Sequence, residues 1–152
     1  AGQQGTTIWG GGNGDLLMAA GPATDLLIAG AGNETLTGVG STSNNVFYAG
    51  SGADLLGGGA GNETFIGGTG SETVLGGSGA DLYAFVNGLS SGGNDVIFGF
   101  DAAKGDQVLL DGYAGSPIAS QNSSGGSTTL VLTDNTTITF EGVANLPNSA
   151  FA

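Results

Sequence analysis

Gly58-Gly59-Ala60-Gly61-Asn62-Glu63-Thr64-Phe65-Ile66 and Gly76-Gly77-Ser78-Gly79-Ala80-Asp81-Leu82-Tyr83-Ala84 follow one plan. Small residues, mostly glycine, fill the first four places, an acid the sixth and a large apolar residue the eighth. Working outward from them gives nine-residue units beginning at Ala1, Gly10, Ala20, Ala29, Gly40, Ala49, Gly58, Gly67 and Gly76, with Ala19 and the pair Gly38-Val39 as insertions. The eighth place reads Ile8, Leu17, Leu27, Leu36, Phe47, Leu56, Phe65, Val74 and Tyr83, apolar throughout. The sixth reads Thr6, Asp15, Asp25, Glu34, Asn45, Asp54, Glu63, Glu72 and Asp81. A repeat of this kind is the signature of a stacked architecture.

The period decides between fold and disorder. With 33 Gly and 3 Pro in 152 residues, the chain nears the level at which aperiodic composition reads as low-complexity. Here the glycines have a period, and each unit predicts a glycine-rich turn followed by a three-residue strand. The eighth residue points inward and the seventh and ninth outward. So short a strand cannot bury its side chain alone, whereas stacked units bury a continuous column.

Charge and missing residue types restrict the chemistry. Thirteen Asp and Glu stand against one basic residue, Lys104, for a net charge of −12. Nucleic acid is excluded because phosphate binding needs Lys and Arg, and anionic membrane surfaces are excluded on the same ground. The chain has no Cys and no His, which removes disulfides, zinc, copper and haem ligation, and any His-based triad. The remaining acidic oxygens are hard ligands suited to Ca²⁺. No apolar run approaches the length of a transmembrane helix, so no membrane insertion is expected. No basic stretch followed by an apolar run opens the sequence, so a Sec-type leader is not expected in it.

The two quoted units resemble the glycine- and aspartate-rich nonapeptide of RTX (repeats-in-toxin, haemolysin-type) proteins. Gly93-Asn94-Asp95-Val96-Ile97-Phe98-Gly99-Phe100-Asp101 and Gly105-Asp106-Gln107-Val108-Leu109-Leu110 are similar to the segment that usually ends such arrays. The resemblance covers roughly residues 1–115. It implies an all-β fold, a right-handed parallel β-roll or β-solenoid with two nonapeptides per turn. It also implies several Ca²⁺ ions between stacked turns, held by backbone carbonyls and sixth-place acids. Carried over residue by residue, the metal ligands are Asp15, Glu34, Asp54, Glu72 and Asp95 on one edge. On the other they are Asp25, Asn45, Glu63, Asp81 and Asp106, with Thr6 at the start of that column. Independently of any family, carboxylates stacked about 4.8 Å apart repel unless a cation lies between them. Glu is one methylene longer than Asp, Asn45 lacks charge and Thr6 lacks a carboxylate. Fewer ions than a full array are therefore expected, with the strongest sites around Asp54, Asp81 and Asp95.

Residues 1–85 read as the nonapeptide roll, 86–115 as terminal roll turns and 116–152 as a C-terminal antiparallel hairpin cap. In the cap, residues 129–133 and 136–140 form strands around Asp134-Asn135, after a polar, turn-rich segment from Ser116 to Gly126. One sheet shows an apolar outward strip: Thr7/Trp9, Leu26/Ile28, Val46/Tyr48, Thr64/Ile66 and Leu82/Ala84. Either the chain's own C-terminal segment or another molecule covers it. Ala1 already begins a repeat, so the first coil is expected to continue a longer array or to be covered by another subunit.

These features suggest a calcium-binding extracellular structural protein that self-assembles, head-to-tail or laterally, into a fibre, surface layer or biofilm matrix. The alternative is a C-terminal calcium-triggered folding and secretion module of a larger enzyme, toxin or adhesin. Such a protein would leave a Gram-negative bacterium through type I secretion. Carbohydrate binding has only Trp9 and Tyr48 to recommend it. An enzyme is not expected, because the chain has no His, Cys or Arg to act as base, nucleophile or electrophile.

Overall fold

The computed structural model describes residues 4–152; residues 1–3, where the first unit starts, lie outside the described residues. Each unit forms one short strand: β1 (Thr7–Trp9), β2 (Leu16–Met18), β3 (Leu26–Ile28), β4 (Thr35–Thr37), β5 (Val46–Tyr48), β6 (Leu55–Gly57), β7 (Thr64–Ile66), β8 (Thr73–Leu75) and β9 (Leu82–Val86). β10 (Asn94–Phe98) and β11 (Gln107–Asp111) extend the series. Odd strands build one parallel sheet in the order β1-β3-β5-β7-β9-β11, and even strands build the other, β2-β4-β6-β8-β10. The architecture is a parallel stacked-coil β-solenoid of about five turns.

Register is fixed by the single large residue in each strand, since a one-residue slip would turn it outward. On the odd sheet Leu27, Phe47, Phe65 and Tyr83 lie side by side, and on the even sheet Leu17, Leu36, Leu56, Val74 and Ile97 do the same. All are buried. Phe47 stacks on Phe65 at 5.1 Å and Phe65 on Tyr83 at 5.4 Å between ring centroids. Phe100 then joins Tyr83 to Phe140 of the C-terminal region.

Two features differ from the sequence reading of the repeat. The backbone ladder runs through Ala19, Gly38, Gly58 and Gly76, whose N–H groups each donate to the strand stacked beyond. Ala19 and Gly38 therefore open their units, and the inserted residues bulge within the following turns, leaving Val39 exposed. Turns tolerate extra residues where a strand of three cannot.

The second difference lies at the C-terminus. The segment read as turns contains β12 (Ile118–Ser124), which pairs antiparallel with β13 (Ser127–Leu132). β13 pairs antiparallel with β14 (Thr137–Glu141), as the hairpin reading expected. Asn135 in their turn takes φ 69, the left-handed region that asparagine tolerates. The hairpin covers the end of the even sheet by joining it: β14 pairs in parallel with β10, and the meander continues that sheet. β12 carries no strand signal in its sequence because Gln121, Asn122, Ser123 and Ser124 are polar, which suits an edge strand whose side chains are almost all exposed. Asp134 ties this region to the roll, accepting hydrogen bonds from the Ser91 and Tyr113 hydroxyls. Phe151 bridges Val108 at the end of the odd sheet.

The outward faces also depart from expectation. The C-terminal strands extend the even sheet instead of lying across the odd one. On the odd sheet, Leu26, Ile28, Val46, Tyr48 and Ile66 half-bury one another as stacked large neighbours. On the even sheet Thr35 and Thr73 flank Leu55, and Thr37 and Gly57 separate Met18 from the neighbours Leu75 and Phe98; Leu16, Met18, Leu55, Leu75 and Phe98 stand exposed. Among the described residues no helix is long and apolar enough to cross a membrane.

Replacing Phe65 with Ala removes the middle ring of the aromatic column. The expected cost is about 3–5 kcal/mol, read as a lowered midpoint in chemical unfolding at saturating calcium.

Candidate metal centres in the stacked turns

Turns leading from the odd to the even sheet place Asp15, Glu34, Asp54, Glu72 and Asp95 in one column. Turns leading back place Thr6, Asp25, Asn45, Glu63, Asp81 and Asp106 in the other. Asp95 lies within β10 and each of the others immediately precedes a strand, so the strand register carries over to them. From Asp25 onward both columns are buried, with Glu34, Asp54, Glu63, Glu72, Asp81 and Asp95 at most 3% exposed. Asp15, in the first coil of its column, is exposed.

Aspartate and glutamate behave differently in these columns. Asp54 Oδ1 accepts the backbone N–H of Glu34 in the preceding coil at 2.7 Å, Asp81 Oδ1 that of Glu63 at 2.8 Å, and Asp95 Oδ1 that of Glu72 at 3.0 Å. The three glutamates make no such bond to the coil before them. The longer side chain turns into its own loop, as Glu63 Oε2 does in accepting the Gly59 N–H at 3.1 Å. The acids thus meet as stacked Glu–Asp pairs: Glu34/Asp54, Glu72/Asp95 and Glu63/Asp81.

Two of these pairs are clasped from outside by a residue absent from the sequence-derived site. Asn33 Oδ1 accepts the Ala53 N–H at 2.8 Å, and Asn62 Oδ1 accepts the Ala80 N–H at 2.9 Å. The dipeptides Asn33-Glu34 and Asn62-Glu63 each stack under Ala53-Asp54 and Ala80-Asp81, and each turn satisfies one backbone donor of the other. The alternation of Asn-Glu with Ala-Asp was the available sequence signal.

Unsatisfied oxygens concentrate in the same pairs. Glu34 Oε1 and Oε2, Asp54 Oδ2, Glu63 Oε1, Glu72 Oε1 and Oε2, and Asp95 Oδ2 are buried without a hydrogen-bond partner, as is the Tyr83 hydroxyl. Asp25, Asn45 and Asp106 are different. Asp25 accepts from the Thr6 backbone and hydroxyl and from the Ala20 N–H. Asp106 uses both oxygens, on the N–H groups of Asp81 and Asp101. Asn45 accepts the Asp25 N–H and directs its amide hydrogens at Ser41 Oγ and Ser43 O, putting a donor where a cation needs lone pairs. The even array expected along both edges therefore divides into three oxygen-rich pairs and positions already filled by hydrogen bonds.

Among the described residues no protein cation relieves these acids. The single basic side chain, Lys104, lies on the surface 3.6 Å from Asp101. Burying an ionised carboxylate without a partner costs several kcal/mol, so the groups must hold protons or meet a metal ion. Burial, followed by the Asp54 charge, pushes Glu34 up; burial also raises Asp54, Glu63 and Asp95. Glu72 is pushed up to about 9 by burial and then by Asp95 beside it, and Asp81 to about 7 by burial with Asp106 and Glu63 nearby. At Asp25 the Thr6 and Ala20 hydrogen bonds outweigh burial and lower the pKa.

The donor set fits a hard divalent cation. Among the described residues no three acidic side chains converge as a ready cluster; beside Asp95 the further oxygens are backbone carbonyls. A methyl group placed on Gly93 would lie 3.0 Å from Gly70 O, 3.2 Å from Gly68 O and 3.4 Å from Asp95 Oδ2. The bare α-carbon thus leaves a small cradle lined by oxygen. Ca²⁺ accepts such mixed carboxylate and carbonyl shells, whereas Mg²⁺ demands a stricter octahedron.

Comparison with known proteins agrees with this chemistry. The family described as RTX calcium-binding nonapeptide repeat (4 copies) matches residues 28–64 and 66–82. Among solved structures, the chain is similar to the AlgE6R3 subunit from the Azotobacter vinelandii mannuronan C5-epimerase, solved in solution. The identity is 20%, the TM-score 0.45, and the alignment covers 92% of this chain and 78% of that one. No curated protein matches the sequence.

The raised carboxyls set a pH dependence for the metal-free protein. A carboxyl whose folded pKa exceeds its unfolded value holds a proton in the fold that the unfolded chain releases. Its contribution is present below the unfolded value and lost as pH rises through the folded one. Urea unfolding in chelator is therefore expected to show greatest stability at about pH 4, near the unfolded carboxyl value, and to fall as pH rises from there through about 7 for Asp81 and about 9 for Glu72. Asp25, lowered, opposes this only in more acid solution. A flat profile over that range would contradict the burial of these groups.

Proposed function

The chain carries RTX calcium-binding nonapeptide repeats at residues 28–64 and 66–82, and on that premise we propose that it is a calcium-stapled structural roll acting outside the cell. The carrying observation is the set of partnerless carboxylate oxygens in the pairs Glu34/Asp54, Glu72/Asp95 and Glu63/Asp81. When bound, Ca²⁺ supplies the positive charge that the chain lacks. Glu34, Asp54, Glu63, Glu72, Asp81 and Asp95 hold it, and neighbouring backbone carbonyls complete its shell. Successive coils are thereby tied together along both edges, and the sheets become a rigid body.

The extracellular setting is supported by the need for abundant free calcium. Self-assembly is supported by the even sheet, where Leu16, Met18, Leu55, Leu75 and Phe98 stand exposed. No charged residue appears in that outward face from β2 through β10, on a chain of net charge −12. A strip of this kind favours lateral contact with a second copy.

A second reading is favoured by the same buried acids. A fold that must gather like charges is unstable at low calcium and neutral pH, as a secretion module of a larger type I-secreted protein requires. Under that reading the roll orders only after export.

Calorimetric titration of chelator-treated protein with Ca²⁺ is expected to show binding accompanied by a large rise in thermal stability. Each site adds about 2.7 kcal/mol at a hundredfold excess over its Kd. Asp54→Asn and Asp95→Asn should each lower the stoichiometry, while Asp25→Asn should leave it unchanged. Absence of binding would sink the calcium reading.

Electron microscopy and sedimentation separate the two functions. Calcium-dependent assemblies lost in the Leu55→Lys/Leu75→Lys variant, with calcium binding retained, support the structural role. A calcium-folded monomer at all concentrations supports the secretion module.

A further inference from the structure

We propose that the Tyr83 hydroxyl is a specificity-determining group of the Glu63/Asp81 pair, supplying a neutral oxygen to the cation held there. The inference rests on the calcium reading above and adds a ligand from the core column, outside the turns. Position by position, the inward residues of the odd sheet are Ile8, Leu27, Phe47, Phe65 and Tyr83. Phe65 and Tyr83 stack nearly parallel, with an interplanar angle of 19°. Packing therefore needs only the ring, and the hydroxyl does something else.

Tyr83 is 1% exposed, and its hydroxyl has no hydrogen-bond partner. A buried hydroxyl without a partner is costly, so its surroundings must supply one. Those surroundings are oxygens. A methyl group added to Gly76 would fall on the Tyr83 hydroxyl and lie 2.9 Å from Asp81 Oδ2. The same addition at Gly58, in the stacked turn before it, would fall on the Gly76 carbonyl and lie 3.0 Å from Glu63 Oε2. Phenol, two carboxylates and a carbonyl thus gather around two bare α-carbons. With no hydrogen bond made, the lone pairs of the hydroxyl oxygen are left to a cation.

The other pairs lack this group. The inward residues beside Glu34/Asp54 and Glu72/Asp95 are Leu36, Leu56, Val74 and Ile97. The Glu63/Asp81 site is therefore distinct from them. An added neutral ligand enlarges its shell, which suits Ca²⁺ and the similarly sized terbium ion over Mg²⁺.

Tyr83→Phe tests the assignment, and Phe47 and Phe65 show that the column accepts the ring. Ca²⁺ titration by calorimetry and tyrosine-sensitised terbium luminescence are compared for the wild type, Y83F and the double variant E63Q/D81N. Thermal unfolding in calcium checks each fold. The expected result is that Y83F weakens one class of site about tenfold and abolishes most of the sensitised emission. Binding by the other pairs should persist. If E63Q/D81N loses a site while Y83F matches the wild type in calcium affinity, the role of Tyr83 is overturned whatever the emission, and the calcium reading stands. If E63Q/D81N binds calcium as the wild type does, that pair holds no ion and both fail together.

Discussion

Stacked like charges with no counter-charge of their own are the constraint on which this protein depends. The coils place Glu34 beside Asp54, Glu72 beside Asp95 and Glu63 beside Asp81, all buried, in a chain whose only basic residue is on the surface. Three outcomes are open to such acids: protonation, unfolding or a cation. Burial selects among them by pH and calcium concentration, which makes the fold itself a responsive element. The hydrophobic columns do not share this dependence. Leu27, Phe47 and Phe65 on one side and Leu36 and Leu56 on the other carry no charge and bury the same apolar surface in every folded state.

Aspartate and glutamate have divided the work of the sixth position. An aspartate is short enough to take the backbone N–H of the coil before it with one oxygen, which fixes the carboxylate and leaves the second oxygen free. A glutamate cannot do this and keeps its oxygens in its own turn. Pairing one of each gives a site with a fixed half and an adjustable half. The asparagine ahead of Glu34 and Glu63 returns a hydrogen bond to the next coil and locks the pair from outside. Where Asp25, Asn45 and Asp106 stand, hydrogen bonds staple one coil to the next.

The C-terminal region ends this arrangement on the even sheet. Ile138 is the register partner of Asp95, so a buried apolar side chain follows the last acid of that column. Phe140 continues the hydrophobic column beyond Ile97, and Phe100 links it to Tyr83. The charged column and the apolar column both finish against β14, whose own edge is covered by the antiparallel strands β13 and β12.

The repeat was legible because its determinants are local. A glycine-rich turn, an acid and one inward apolar residue every nine positions dictate a short strand and a stacked coil, and Leu56, Phe65 and Val74 fell where the period put them. The candidate acids were legible by residue type and place. What the linear order could not reveal is which acids lack partners, because that depends on contacts between residues about twenty positions apart. Glu34 meets Asp54, Asn33 meets Ala53, and the Tyr83 hydroxyl comes up beneath Gly76 only once the coils are stacked in register. The polar strand β12 was hidden for a related reason: its strand character comes from pairing with β13, not from its own side chains. Sequence alone determined the coil, its period and its chemistry of hard oxygens. Tertiary structure decided which oxygens remain free, because hydrogen-bond satisfaction is a property of neighbours in space.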